Sequence, residues 1–272
     1  MTTLQAVVLG IVEGITEYLP VSSTGHLILA QRVMGILNSE AANAYAICIQ
    51  AGAIAAVLWV YNGRFHQMWG ALTKRDEKGR RMVINLIVAF VPAAVIGLLF
   101  GRQIEQVLFG LRPVVAAWFV GGLAILALAW WQRSRSPRTE LDLDSLTWQL
   151  ALVIGVAQCL ALWPGTSRSL ATILGGVLIG LSLPAAVEFN FLLGVVTLGA
   201  ATVYKGVGSG PSMLVAYGWV NLIVGFVVAS VSAAAAVKWM IEYVKSRGLA
   251  LFGYYRVLLA AVVGGAMVMG IL

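Results

Sequence analysis

The sequence predicts an all-α polytopic membrane protein, with about six spanning helices and two re-entrant helical hairpins arranged as an inverted repeat. Three observations carry that prediction. The 272 residues are 60% hydrophobic and only 11% charged, with a mean hydropathy of +0.91, which is too apolar for a soluble domain. The apolar residues come in runs of about 20, the length that takes a helix across roughly 30 Å of hydrocarbon. The short alternating segments of a β-barrel do not occur. Finally, two shorter apolar stretches each stop at a proline followed by clustered hydroxyls, at Leu19-Pro20 and at Trp163-Pro164.

The first element is a hairpin of half-length helices, 3–18 and 22–36. Glu13 and Glu17 are four apart, so a helix stacks them on one face, where they can share a cation or a proton. Both lie near the helix C-terminus, whose negative pole disfavours them by roughly 0.3–1 kcal/mol each unless something positive is bound. Pro20 pushes Leu19 out of the α region and ends the helix. Val21-Ser22-Ser23-Thr24-Gly25 then supplies hydroxyls that can cap a new helix starting near Ser22 or Ser23, with His26 in its first turn. Ionisable groups at membrane depth cost several kcal/mol unless paired, so this cluster reads as functional.

A full span is expected near 41–61, a polar link over 62–81, and further spans near 82–101 and 113–131, the first of them carrying Pro92. Residues 132–145, with Arg133, Arg135, Pro137, Arg138, Glu140, Asp142 and Asp144, read as a solvated linker. The second half follows the first. A short helix over 146–163 stops at Pro164, another runs to about 181, and spans are expected near 184–204, 214–241 and 251–271. Shifting by 144 residues lays Leu19-Pro20 on Trp163-Pro164 and Ser23 on Ser167, and LFG at 108–110 has a near counterpart at 251–253. The expectation is one membrane domain over 1–272: repeat one at 1–131, linker 132–145, repeat two at 146–272.

Three crossings per repeat invert the second repeat relative to the first. Arg64, Lys74, Arg75, Lys78, Arg80, Arg81, Arg133, Arg135, Arg138, Lys238, Lys245 and Arg247 then fall on one side, against Arg32, Arg102, Arg112 and Lys205 on the other. The richer side is expected to be cytoplasmic, with both termini outside. The net charge of +7 is therefore accounted for by orientation in the membrane, which argues against nucleic acid as a partner. Cys48 and Cys159 are far apart in apolar segments and suggest neither disulfide nor metal motif. The N-terminus lacks a basic region ahead of its apolar stretch and does not read as a cleaved signal peptide.

The second hairpin carries PGTSRSLAT at 164–172. Pro164-Gly165 breaks the helix, and Thr166, Ser167, Arg168 and Ser169 fall at a fresh helix N-terminus, which binds anions. Arg168 can engage phosphate oxygens bidentately. A simpler role is also open to it, pairing with Glu13 or Glu17 to lock the two hairpins together. Glu188 and Arg256 read as ligands or as members of structural ion pairs. Gln50 and Asn190 read as interhelical hydrogen-bonding amides, His66 as solvated, and Trp59, Trp69, Trp118, Trp130 and Trp131 as interfacial belt residues.

EGITEYLPVSSTGH at 13–26 and PGTSRSLAT at 164–172 closely resemble the two signatures of the undecaprenyl-diphosphate phosphatase family, the bacitracin-resistance type. The likeness covers the whole chain. It implies a bacterial inner-membrane enzyme that removes the terminal phosphate of undecaprenyl diphosphate and recycles the lipid carrier for cell-wall synthesis. It also implies a divalent cation, magnesium or calcium, and catalysis at the outer side. Matched onto this chain, the acidic pair is Glu13 and Glu17, the serine and histidine are Ser23 and His26, and the phosphate-binding residues are Ser167, Arg168, Ser169 and Thr172. Ser22, Thr24 and Gly165, from the same turns, complete the expected substrate-binding set. Ser23, His26 or a water are alternative nucleophiles, with a polyprenyl diphosphate as substrate and lipids as surroundings. Monomer and homodimer both stay open. A flippase or secondary transporter of a phosphorylated lipid or anion is the alternative, because broken helices meeting at the midplane also build transporters.

Overall fold

The computed structural model describes residues 1–37, 39–73, 76–108, 110–134 and 140–272, without the side chains of 72, 73, 102 and 105. Lys74, Arg75, Phe109, Arg135, Pro137, Arg138 and the side chain of Arg102, all used in the sequence reading, lie outside the described residues. The protein is an all-helical polytopic membrane protein. Its helices are α1 (Thr3–Thr16), α2 (Ser23–Val33), α3 (Glu40–Val60), α4 (Asn62–Thr73), α5 (Glu77–Leu108), α6 (Leu111–Arg133), α7 (Trp148–Gln158), α8 (Arg168–Leu178), α9 (Leu183–Arg247) and α10 (Ala250–Val268). Among the described residues, strand-type pairing is limited to one isolated parallel bridge, Leu141 to Leu181.

Among the described residues, five helices, α3, α5, α6, α9 and α10, are long and apolar enough to cross a membrane. Their outward faces carry large apolar side chains that water would penalise and lipid accepts, among them Leu98, Val207, Val215, Val262 and Val268. α9 packs against α3, α1 and α8, α6 against α10, and α5 against α7. The main core gathers around Tyr18, Phe189, Phe191, Leu192, Leu193, Ile154 and Ile173, and takes in Leu19 and Val21 from the first hairpin turn.

Three expectations are corrected. The supposed polar link at 62–81 contains α4, a helix whose Arg64 bonds Glu188 on α9 (2.7 Å) and Asp144 (3.2 Å). The spans expected near 184–204 and 214–241 are joined by helix. α9 stays helical through Gly206, Gly208, Gly210 and Pro211 and is interrupted instead at Gly218 (φ 75°, ψ 161°), a left-handed position that suits a residue without a Cβ. In hydrocarbon, unpaired backbone groups are so costly that poor helix formers still remain helical. Trp118 is not an interfacial belt residue, since it is fully buried in α6 against α2. Trp59, Trp69 and Trp130 are exposed as expected, and Lys238 sits over the Trp59 ring at 4.3 Å.

Candidate active site

Two breaks of the same construction form the site. α1 starts with a capping box between Thr2 and Gln5 and ends at Glu17, whose N–H still bonds the Glu13 carbonyl at 2.9 Å. The two carboxylates therefore share a face, as their spacing predicts. After Pro20 the chain re-enters helix at Ser23, with Ser22 as N-cap at φ 73° and its hydroxyl accepting from Gly25 N–H. In the second hairpin α7 tightens into a 3-10 turn, Cys159–Leu162, and stops. α8 then starts at Arg168, with Ser167 as N-cap at φ 77° and its hydroxyl accepting from Leu170 N–H. A non-glycine residue in the left-handed region is held there at a cost of roughly 1–3 kcal/mol, and such positions cluster at functional sites.

The hairpins meet through side chains. Arg168 Nη2 donates to Glu17 Oε1 at 3.2 Å, with 9% and 5% of the two side chains exposed. The opposite carboxylate oxygen, Oε2, accepts a hydrogen bond from the Ser23 hydroxyl. Ser169 Oγ donates to the Glu17 carbonyl at 3.0 Å, a second tie between the hairpins. Glu13 is fully buried beside Glu17, and among the described residues neither of its carboxylate oxygens has a donor. A buried charge without a partner is costly enough to demand a ligand, a cation or a proton.

Arg168 is held from behind by α9. Its Nη1 donates to both the carbonyl (2.9 Å) and Oδ1 (2.8 Å) of Asn190, whose Oδ1 also accepts from Thr172 Oγ1 at 2.8 Å. The guanidinium carbon lies 5.5 Å from the centre of the Tyr18 ring. Both groups press on Gly194, where an added Cβ would come within 2.9 Å of the guanidinium nitrogens and of Tyr18 Cε1. Arg168 Nε, Asn190 Nδ2 and Tyr18 OH are buried donors without partners among the described residues.

His26 stands differently from the sequence expectation. Its Nδ1 lies 2.7 Å from the Ser22 carbonyl and its Nε2 2.7 Å from Tyr255 OH. A carbonyl only accepts, so Nδ1 carries a proton, and in the neutral ring Nε2 is the acceptor of the tyrosine hydroxyl. Its ring also contacts Trp118. No hydrogen bond among the described residues joins His26 to Glu13, Glu17, Ser23 or Arg168. The serine hydroxyl meets Glu17 instead.

Of the remaining expected residues, Thr24 is half-buried in the first turn of α2. Gly165 sits at φ 96° against α6, where a Cβ would come within 2.7 Å of the Val114 carbonyl. Glu188 is in an ion pair, as one of its readings had it, but Arg256 is not paired with a carboxylate. It is fully buried and bonds four main-chain carbonyls. Sequence reasoning passed over Tyr18 and Tyr255, and reduced Asn190 to a generic amide. The available signal for Asn190 was the need of a buried arginine for neutral acceptors, since five N–H donors cannot be met by one carboxylate.

The family described as bacitracin resistance protein BacA matches residues 6–262. The undecaprenyl-diphosphatase of Sorangium cellulosum is 46% identical over 264 residues, 97% of this chain and 86% of that protein. Undecaprenyl-diphosphatase 2 of Rhodospirillum rubrum is 44% identical over 260 residues, 96% of this chain and 93% of its own. The undecaprenyl-diphosphatase of Nitrosomonas europaea is 44% identical over 255 residues, 93% and 90% of the two chains.

Proposed function

Because the chain belongs to the bacitracin resistance protein BacA family, we propose that it is an integral membrane phosphatase hydrolysing undecaprenyl diphosphate to undecaprenyl phosphate and phosphate. The observation that carries the assignment of the site is the contact across the two hairpins: Arg168 and Ser23 meet on the two oxygens of one buried carboxylate, Glu17.

Phosphoryl transfer needs a positioned nucleophile and positive charge where the transferring group gathers negative charge. Ser23 Oγ is the nucleophile in this reading. It attacks the terminal phosphorus, its proton passes to Glu17, the bond from phosphorus to the bridging oxygen breaks, and undecaprenyl phosphate leaves. Water then cleaves the phosphoserine: Glu17 returns its proton to the departing serine oxygen, His26 Nε2 exchanges its hydrogen bond with Tyr255 for one from the water and takes the water's proton, and phosphate is released. Arg168, fixed by Asn190, neutralises the phosphoryl oxygens. The N–H groups at the start of α8 and the residues Ser22, Thr24, Gly165, Ser167, Ser169 and Thr172 shape the turns around them.

A divalent cation fits the donor set, because Glu13 offers two buried oxygens without partners and Glu17 a neighbouring carboxylate. Magnesium is characteristically held by one or two carboxylates together with substrate phosphate, and calcium takes oxygen ligands too. Glu13 and Glu17 would hold the ion, which supplies Lewis-acid neutralisation of the diphosphate when bound.

The proposed architecture is one domain of two inverted repeats, with six crossings once both arms of α9 are counted and the helix pairs α1/α2 and α7/α8 as re-entrant hairpins. The interruption of α9 at Gly218, its 65-residue length and the matching Ser22 and Ser167 geometry support it. The concentration of Arg64, Lys78, Arg80, Arg81, Arg133, Lys238, Lys245 and Arg247 supports a bacterial inner-membrane orientation with both termini and the site facing outward.

The test is phosphate release from a polyprenyl diphosphate by purified protein in detergent, with rapid acid quenching to trap a phosphoenzyme. Wild type should release phosphate without any membrane gradient, and Ser23→Ala should form no phosphoenzyme. Gradient-dependent movement of the lipid with no phosphate released would instead identify a transporter. A trapped phosphoenzyme in Ser23→Ala would remove the serine from its role.

A further inference from the structure

Arg256 takes no part in the chemistry above, yet it is buried completely, in the second turn of a helix long and apolar enough to span, and among the described residues it has no carboxylate partner. Its Nη1 donates to the Pro20 carbonyl at 3.1 Å and its Nη2 to the Gly165 carbonyl at 2.8 Å. Nη2 also reaches the Ala117 carbonyl at 2.8 Å, and Nε the Trp118 carbonyl at 3.3 Å. Pro20 lies in the break of the first hairpin and Gly165 in the break of the second. Interrupting a helix at membrane depth strands carbonyls where no water can reach them. One guanidinium, anchored on α6 through Ala117 and Trp118, satisfies a stranded carbonyl from each break.

We infer that Arg256 is a positioning residue that sets the register of the two hairpins, and through it the approach of Ser23 and Glu17 to Arg168. The guanidinium is planar with N–H groups in a fixed fork, so two carbonyls bound to it are fixed in distance and direction relative to each other. A lysine ammonium on a flexible stem does not impose that geometry. Room for the fork comes from α6. At Gly121 a Cβ would collide with Arg256 Nη2, and at Gly122 it would come within 3.1 Å of Arg256 Cβ. The preceding residue, Tyr255, holds His26, so α10 touches the first hairpin at both the imidazole and the break.

This inference rests on the site proposed above, and the experiment separates the two. Phosphate release is measured for Arg256→Lys, Arg256→Ala, Gly121→Ala and Arg168→Ala, each purified in detergent and assayed below its own thermal midpoint. Misplacing reacting groups by about 1 Å costs on the order of 100-fold in rate. Arg256→Lys and Gly121→Ala should therefore lose about that much in kcat while KM changes by less than about threefold. Guanidinium ion at concentrations too low to denature should restore Arg256→Ala in a saturable way, while sodium at equal ionic strength does not. Should Arg256→Ala not survive extraction, the lysine and Gly121 variants carry the same expectation. Arg256 variants with wild-type kcat would overturn the inference, as would a rise confined to KM or rescue by sodium equal to that by guanidinium. Full activity of Arg168→Ala would overturn the site itself.

Discussion

The two hairpins share a backbone device and differ in almost everything it displays. Each ends a short helix a few residues ahead of a proline, turns through a serine in the left-handed region, and uses that serine's hydroxyl to cap the next helix. The first displays carboxylates, a hydroxyl and an imidazole. The second displays a guanidinium and hydroxyls bonded to the protein. Their second helices differ as well, since α8 buries most of its length whereas α2 buries only Ser23, Gly25, Leu27 and Gln31. The difference teaches that the break fixes where functional groups stand, while the chemistry comes from opposing side chains that only the partner hairpin can neutralise.

The hardest blow to that complementarity is Arg168→Ala. It removes the charge facing the phosphoryl group and leaves Glu17 buried beside an unpartnered Glu13. Arginines that stabilise transferring phosphoryl groups contribute about 10³-fold or more to kcat, and breaking a buried pair costs about 3–5 kcal/mol. Both phosphate release and thermal stability should fall. Arg168→Lys should recover little, because the ammonium cannot repeat the fork to Asn190 and Glu17. A lysine variant with near wild-type kcat would show that charge alone suffices.

Glu13→Gln separates function from stability on the acidic side. Neutralising a buried carboxylate without partners should raise stability by about 1–3 kcal/mol, while activity falls by about 100-fold if the carboxylate helps to hold the cation. Wild type should also gain thermal stability on adding magnesium or calcium, as any ligand of the native state requires, and the variant should not. A cation-dependent shift that persists in Glu13→Gln would place the ion elsewhere. Tyr255→Phe is a milder change. Losing one hydrogen bond of about 1 kcal/mol frees the His26 ring, so a fall in kcat of about 5–10-fold with no change in cation response is expected.

The shared backbone device has its own test. At Ser22 and Ser167, glycine relieves the left-handed strain but removes the cap, whereas alanine removes the cap and keeps the strain. Both Ser→Ala variants should lose about 1 kcal/mol, and both Ser→Gly variants only a few tenths. Unequal losses at the two serines, measured by thermal unfolding in detergent, would mean that the two breaks are alike in outline only.

Much of this was legible in the sequence because it follows from local rules. Proline placement, the hydroxyls after it, and the four-residue spacing of Glu13 and Glu17 specify the breaks and the acidic face without tertiary information. Contacts bridging long separations were not legible. Tyr255 reaches His26 across 229 residues, and Arg256 reaches Pro20 across 236. Asn190 was seen only as an amide that would bond something. Local rules also misled where the solvent changed their weight. Gly206, Gly208, Gly210 and Pro211 spell a loop in water but remain within α9, and Trp118 has the composition of a belt residue but fills the space beside Gly25.

The smallest effect is expected outside the proposed site, where Arg64, Lys78, Asp144 and Glu188 form an ion network joining α4, the start of α5, the 143–145 turn and α9. Burial works against the charge on Asp144, but Lys78 and Arg64 outweigh it and hold the carboxyl below its usual range. A carboxyl depressed in the folded state contributes stability above its unfolded value, and that contribution disappears as pH falls through the folded one. The side chain is 36% exposed, so solvent and salt screen the pair and the contribution is about 0.2–1 kcal/mol. Asp144→Asn should therefore lower the midpoint slightly at neutral pH, flatten its acid dependence and leave kcat unchanged. A large loss of phosphate release in that variant would couple the network to the hairpins, so that a site set by its breaks would no longer be independent of a periphery set by surface charge.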